Sequence, residues 1–138
     1  MITKILAASD GSPAAMEAAR SAAVMAAAFG ASLTVVTVAT IPKMYKGDLS
    51  DEMQAAYRED YEHVLRDTVH AIGGKVKAGS KLLHEDSAAE AILAEAERGK
   101  YDLIVVGSTG TDNPYGRAMG SVASKVGARA RCSVLIIR

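Results

Sequence analysis

The feature that most constrains this chain is an alternation along its length. Five short strand-like runs, four of them apolar and rich in β-formers, are separated by four segments of helical character. The runs are Ile2 to Ala8, Leu33 to Ala39, Lys81 to His84, Asp102 to Val106 and Ser133 to Ile137. Every gap between them is long enough for a helical crossover, which lets the strands lie parallel and sends helices to both faces of the sheet. The expected fold is α/β: one domain over residues 1–138, a five-stranded parallel sheet covered on both sides.

Local signals place the helices. Ser12 can accept a bond from a free amide of a first turn, and Pro13 lacks the N–H that would go unpaired there. An alanine-rich helix then runs to Gly30, a C-terminal stop. Pro42 and Gly47 make Thr40 to Leu49 a loop, and Ser50-Asp51-Glu52 opens the next helix with acids at its positive end. Met53, Tyr57, Val64, Leu65, Thr68 and Ile72 follow a 3–4 spacing, an apolar stripe that ends at Gly73-Gly74. Ser87-Ala88-Ala89-Glu90 reads as a capping box, with serine and glutamate satisfying each other's end amides. That helix stops at Gly99, and the last one spans Gly120 to Ala130.

Composition removes several classes. Sixteen basic residues balance sixteen acidic ones, so no net basic character points to nucleic acid as a partner. The run from Ala14 to Phe29 is interrupted by Glu17 and Arg20, which makes it a helix of a soluble protein and not a membrane span. The apolar stretch before Ser9 is too short for a signal peptide, and the lone Cys132 allows no internal disulfide. A cytoplasmic location is expected.

In a sheet of this kind ligands sit outside the carboxyl ends of the strands, where the strand order reverses. Asp10 follows the first strand, Gly107-Ser108-Thr109-Gly110 follows the fourth, and Gly120-Ser121 opens the helix after it. The second group has the form G-x2-G-x9-G-S between a strand and a helix start. Gly107 lets backbone approach a ligand, and Gly110 can take a left-handed turn. Gly120, Ser121 and Val122 present amides at a helix N-terminus, where phosphate is favoured. The plainer account is that these glycines make turns and Ser121 caps its helix.

Asp10-Gly11-Ser12, the strand Val35-Val36-Thr37-Val38 and the glycine pattern together resemble the universal stress protein family over Ile5 to Ile137. The resemblance implies the sheet order 3-2-1-4-5 of the adenine nucleotide alpha hydrolase-like architecture, with the reversal beside Asp10 and Gly107. It implies that the Val38 backbone pairs with an adenine edge and that Asp10 faces the nucleoside or an associated divalent ion. Gly107 and Gly110 would follow the ribose and phosphates, and Gly120, Ser121 and Val122 would hold the tail. Two positions touching the ligand depart from the pattern: Ala8 stands where many members have proline, and Thr109 where many have histidine. His84-Glu85-Asp86 also lacks the Gly-x-Pro turn common in the family.

Other residues read more plainly. Arg117 can reach a phosphate or lie in solvent, Asp112 alone makes a poor metal site, and Arg117 with Lys125 leaves the choice between ATP and cyclic AMP open. His63 and His70, seven apart, read as surface residues; Lys75, Lys77 and Lys81 as a solvated edge; Cys132 as a packed small residue.

The function expected is that of an ATP-binding regulatory protein in the stress response, binding ATP with or without magnesium. Cyclic AMP is the alternative ligand, and a nucleotide-free homodimeric module the alternative class. No base, nucleophile or metal cage for fast phosphoryl transfer is evident, so at most slow hydrolysis is expected and enzymatic activity stays open. The sequence lacks a Ser-Gly-Gly-x-Asp-Ser loop and a His-x-Gly-His motif. A homodimer is expected through the edge strand Ser133 to Ile137, whose apolar run would otherwise be exposed.

Overall fold

The computed structural model describes residues 1–40, 47, 49–111 and 118–138. Its elements, in chain order, are β1 (Lys4–Ala8), α1 (Pro13–Phe29), β2 (Ser32–Ala39), α2 (Asp51–Ile72), β3 (Gly79–His84), α3 (Ala88–Arg98), β4 (Leu103–Gly107), α4 (Ser121–Arg129) and β5 (Ser133–Ile137). All strand pairs are parallel, in the order β3-β2-β1-β4-β5. The reversal therefore falls between β1 and β4.

Strand alternation divides the core cleanly. Ile5, Ala7, Val35, Leu103 and Val105 face α1 and α2, whereas Leu6, Ala8, Val36, Ile104 and Val106 face α3 and α4. Six alanines of α1, from Ala15 to Ala26, are buried against the first face. Their small side chains let the helix axis come close. A Cβ on Gly107 would stand 2.7 Å from Ala14 C and from Ala15 N.

Caps form where expected. The Ser12 hydroxyl accepts from Ala15 N, and Gly30 ends α1 in a left-handed conformation. Ser50 caps α2 by accepting from Met53 N. Ser87 accepts from Glu90 N, but the other half of the expected capping box is replaced: the Glu90 carboxylate turns to Lys125 and Arg129 of α4.

Three further expectations are corrected. The strand expected from Ile2 begins at Lys4, because Thr3 N donates to Asp102 instead of joining a ladder. β3 starts at Gly79, two residues before the Lys81 expected, drawn into register with Thr34 of β2. The α2 stripe packs only in its second half: Thr68 and Ile72 are buried, while Met53 and Tyr57 are exposed with the rest of the first ten residues. The loop assigned around Pro42 lies mostly outside the described residues.

Lys81 is more than solvated edge. Its ammonium meets Glu95 Oε2 at 3.0 Å, and Glu95 is 1% exposed. Burial alone would push the Glu95 carboxyl up, but the bonds from Lys81 and Arg98 outweigh it and hold the group below the usual carboxylate range. His63 pairs with Asp67 on the exposed surface of α2, and burial pushes the Cys132 thiol up where it packs against the α3–α4 side of the core.

Candidate functional site

A cavity of about 260 Å³ opens at the carboxyl edge of the sheet, between β1 and β4. All nine candidate residues line it: Ala8, Asp10, Val38, Gly107, Thr109, Gly110, Gly120, Ser121 and Val122. The two glycine-bearing stretches do converge. A Cβ on Gly120 would lie 3.4 Å from Ser108 O and 3.7 Å from Gly110 N.

The neck of the β4–α4 connection is closed by backbone bonds. Ser108 N donates to Ile137 O at 2.7 Å, and Gly120 N donates to Ser108 O at 2.6 Å. Gly120 is therefore the N-cap residue of α4, but its amide is not free for an anion as the sequence suggested. The open donors shift one residue along: among the described residues no acceptor meets the amides of Ser121, Val122 or Ala123. Nor does Ser121 cap the helix, since it sits at the first helical position.

Asp10 has a specific structural task. Its Oδ1 accepts from Ser12 N at 2.9 Å, and its Oδ2 from Thr111 N at 3.0 Å. One carboxylate thus ties the β1–α1 turn to the β4–α4 loop. Gly11 completes that turn at φ +84°, against Val64. The Ser12 hydroxyl also donates to Thr109 O at 3.3 Å, so it is the Thr109 carbonyl that is engaged. With each Asp10 oxygen accepting an amide, the residue acts as a clamp between the two loops.

Gly107 and Gly110 also have packing reasons to lack a side chain. Gly107 is required by α1, whose backbone a Cβ would strike. Gly110 is not among the residues with positive φ; a Cβ there would fall 2.8 Å from Asp10 Oδ2.

The opposite wall is an apolar slot. Val36 and Val38 come from β2, Ala88 and Ile92 from α3, and Val106, Val122 and Ala123 complete it. Val38 adds polar groups. Residues two apart along a strand turn their backbone groups to the same side. The Val36 carbonyl accepts from Ser9 N, the last bond before β1 departs. The N–H and C=O of Val38 therefore face the same way, beyond the end of β1.

Ala88, Ile92, Val36 and Thr111 were not singled out from sequence. Val36 was discoverable as the strand-alternation partner of Val38, and Ala88 and Ile92 as an i, i+4 pair just inside the Ser87 cap. Thr111 carries no signal, because its part depends on Asp10 a hundred residues away. Arg117 and Asp112 lie outside the described residues. Lys125 is described, and its ammonium stands 3.6 Å from Glu90 Oε1.

A doubly wound parallel sheet with its cavity at the switch point defines a class of α/β domains that receive ligands at the strand ends. The family model described as the universal stress protein family matches residues 1–138, and the chain belongs to that family. A universal stress protein of Thermus aquaticus, from the 3' region of a QAH/OAS sulfhydrylase, is 37% identical over 138 residues, all of both chains. Among solved structures, a universal stress protein in complex with cAMP superposes with a TM-score of 0.77 at 22% identity, covering 99% of this chain and 97% of that one. The universal stress protein of Archaeoglobus fulgidus in complex with dAMP gives 0.70 at 24% identity, covering 100% and 98%. At those identities the likeness speaks for the fold. No helix among the described residues is long and apolar enough to cross a membrane.

Proposed function

We propose that the cavity binds an adenine nucleotide, with ATP as its ligand, and that the protein is a regulatory member of its family acting in the cytoplasmic stress response. One observation carries this: amides at the start of α4 that meet no acceptor among the described residues converge with the 108–111 loop on one end of an apolar slot, and the Val38 backbone edge emerges at the other. A slot between Val36, Val38 and Ile92 suits a flat heterocycle. The donor and acceptor of Val38 match the ring nitrogen and amino group of adenine. The amides of Ser121, Val122 and Ala123, backed by the α4 dipole, suit a phosphate. The complexes of relatives with cAMP and dAMP support an adenine nucleotide as the class of ligand.

Cyclic AMP is the second reading, favoured by a specific contact: Lys125, the cation of α4 nearest the anion end in sequence, is engaged by Glu90. A homodimer through β5 accompanies either ligand. Ser133–Ile137 is an edge strand with four half-exposed apolar residues, and pairing with a second copy would cover them. Mass spectrometry of nucleotide released from denatured, freshly purified protein, followed by calorimetry with ATP and cyclic AMP, tests the site. Binding of neither would replace it with the nucleotide-free module. Sedimentation at micromolar concentration tests the dimer, and a monomer there would count against it.

A further inference from the structure

We propose that Glu90 sets which phosphate tail the cavity accepts, by holding Lys125 of α4 away from its anion end; the inference rests on the nucleotide reading above. The first turns of α3 and α4 meet at the cavity, since Ala88 lines it from one helix and Ser121, Val122 and Ala123 from the other. Glu90 lies in that first turn of α3, two residues beyond Ala88. Its Oε1 accepts from Arg129 Nη1 and stands 3.6 Å from Lys125 Nζ. It does so in place of the reciprocal bond to its own helix end that a capping box would make.

Lys125 follows Ser121 by four residues and so shares its face of α4. Side chains on a helix lean toward its N-terminus, and a lysine released at this position extends over the turn where Ser121 and Val122 offer their amides. Among the described residues that line the cavity, none is lysine, arginine or histidine, and Asp10 is the single charged group. The described part of the wall therefore offers a tail neutral donors. Those suffice for a phosphate with one negative charge. A triphosphate carries several, and its distal groups would gain from a cation. Glu90 opposes that by occupying the lysine.

The pair is half exposed, and exposed ion pairs are weak. Glu90 is thus a bias on the choice of tail and not a lock, and the effect of removing it should be modest and sensitive to salt.

The test is calorimetry on the full chain with ATP and with cyclic AMP, for the wild type, Glu90→Gln, Lys125→Gln and the double variant, each checked by thermal unfolding. Glu90→Gln should raise the ratio of ATP to cyclic AMP affinity by about three- to tenfold at low salt. The double variant should return it to near the wild-type value, because the gain passes through Lys125. A ratio unchanged in Glu90→Gln, while the wild type binds nucleotide, would overturn the inference and leave the site standing. A gain that persists without Lys125 would overturn it equally. Should Glu90→Gln not fold, Lys125→Glu takes its place and is expected to lower the ratio; no change there would count against the proposal. A wild type that binds neither nucleotide would remove the site and the inference together.

Discussion

Two aspartates at opposite ends of the same pair of strands show how differently the two edges of this sheet are finished. At the amino edge, Asp102 gathers Thr3 N, Thr3 Oγ1 and Lys4 N on one oxygen, each at 2.9 Å, and its own amide donates to Lys4 O. β1 and β4 are stitched together there. At the carboxyl edge, Asp10 also collects two amides, but from two separate loops. The same acceptor chemistry closes one edge and props the other open. The difference lies in where the backbone goes next: strands entering the sheet run side by side, while the chain leaving β1 and β4 must turn toward helices on opposite faces. That divergence opens the crevice, where the first three amides of α4 meet no acceptor among the described residues.

The contrast can be broken at four points. The largest effect is expected from Gly107→Val, whose Cβ would fall on α1 backbone 2.7 Å away. A loss of about 3 kcal/mol or more, by denaturant unfolding, is expected from overpacking against atoms that cannot rotate aside. Gly120→Val comes next. Its first carbon has room against Ser108 and Thr109, but its methyl groups enter the cavity mouth. Nucleotide affinity should fall about tenfold or more by calorimetry, with about 1 kcal/mol lost from the helix cap. Unchanged affinity in a folded variant would move the site elsewhere.

Asp10→Ala should cost about 1 kcal/mol of stability, since it strands two loop amides. Affinity should fall severalfold through loss of loop position, and Asp10→Asn should recover part of it. Asp102→Asn sharpens the comparison from the other edge and should have the smallest effect. The Thr3 amide, with the Thr3 hydroxyl and Lys4 amide, holds the Asp102 carboxyl below its ordinary value. A depressed carboxylate stabilises the fold above its unfolded pKa of about 4, and that contribution is lost as pH falls through its folded value. The variant should be slightly less stable at neutral pH and its stability should fall less steeply in acid. Nucleotide affinity should not change; a change would mean that the two edges are coupled.

The α2 stripe shows how far sequence pattern carries. Met53 and Tyr57 keep the same helical spacing as Thr68 and Ile72, yet only the latter reach the sheet. Periodicity records which face of a helix is apolar, not how much of its length lies over β-strands. Gly107 and Gly110 teach a related lesson. Their pattern was visible, it led to the crevice between β1 and β4, and the reasons assigned to them were ligand approach and turn handedness. α1 backbone and an aspartate oxygen constrain them as well, and Gly110 is not left-handed.

What the sequence determined by itself was local and periodic: the five runs and four helices, the serine caps, the two-faced alternation of the strands, and through its glycine pattern the edge of the sheet on which a site should lie. These follow from propensities and spacings that act within a few residues. Which amides stay free was decided only by tertiary structure. Gly120 lost its amide to Ser108, Asp10 was taken up by Thr111, and Glu90 left its own helix cap for α4. A polar group's partner is whichever donor or acceptor the fold brings within about 3 Å, and separation along the chain carries no record of that distance.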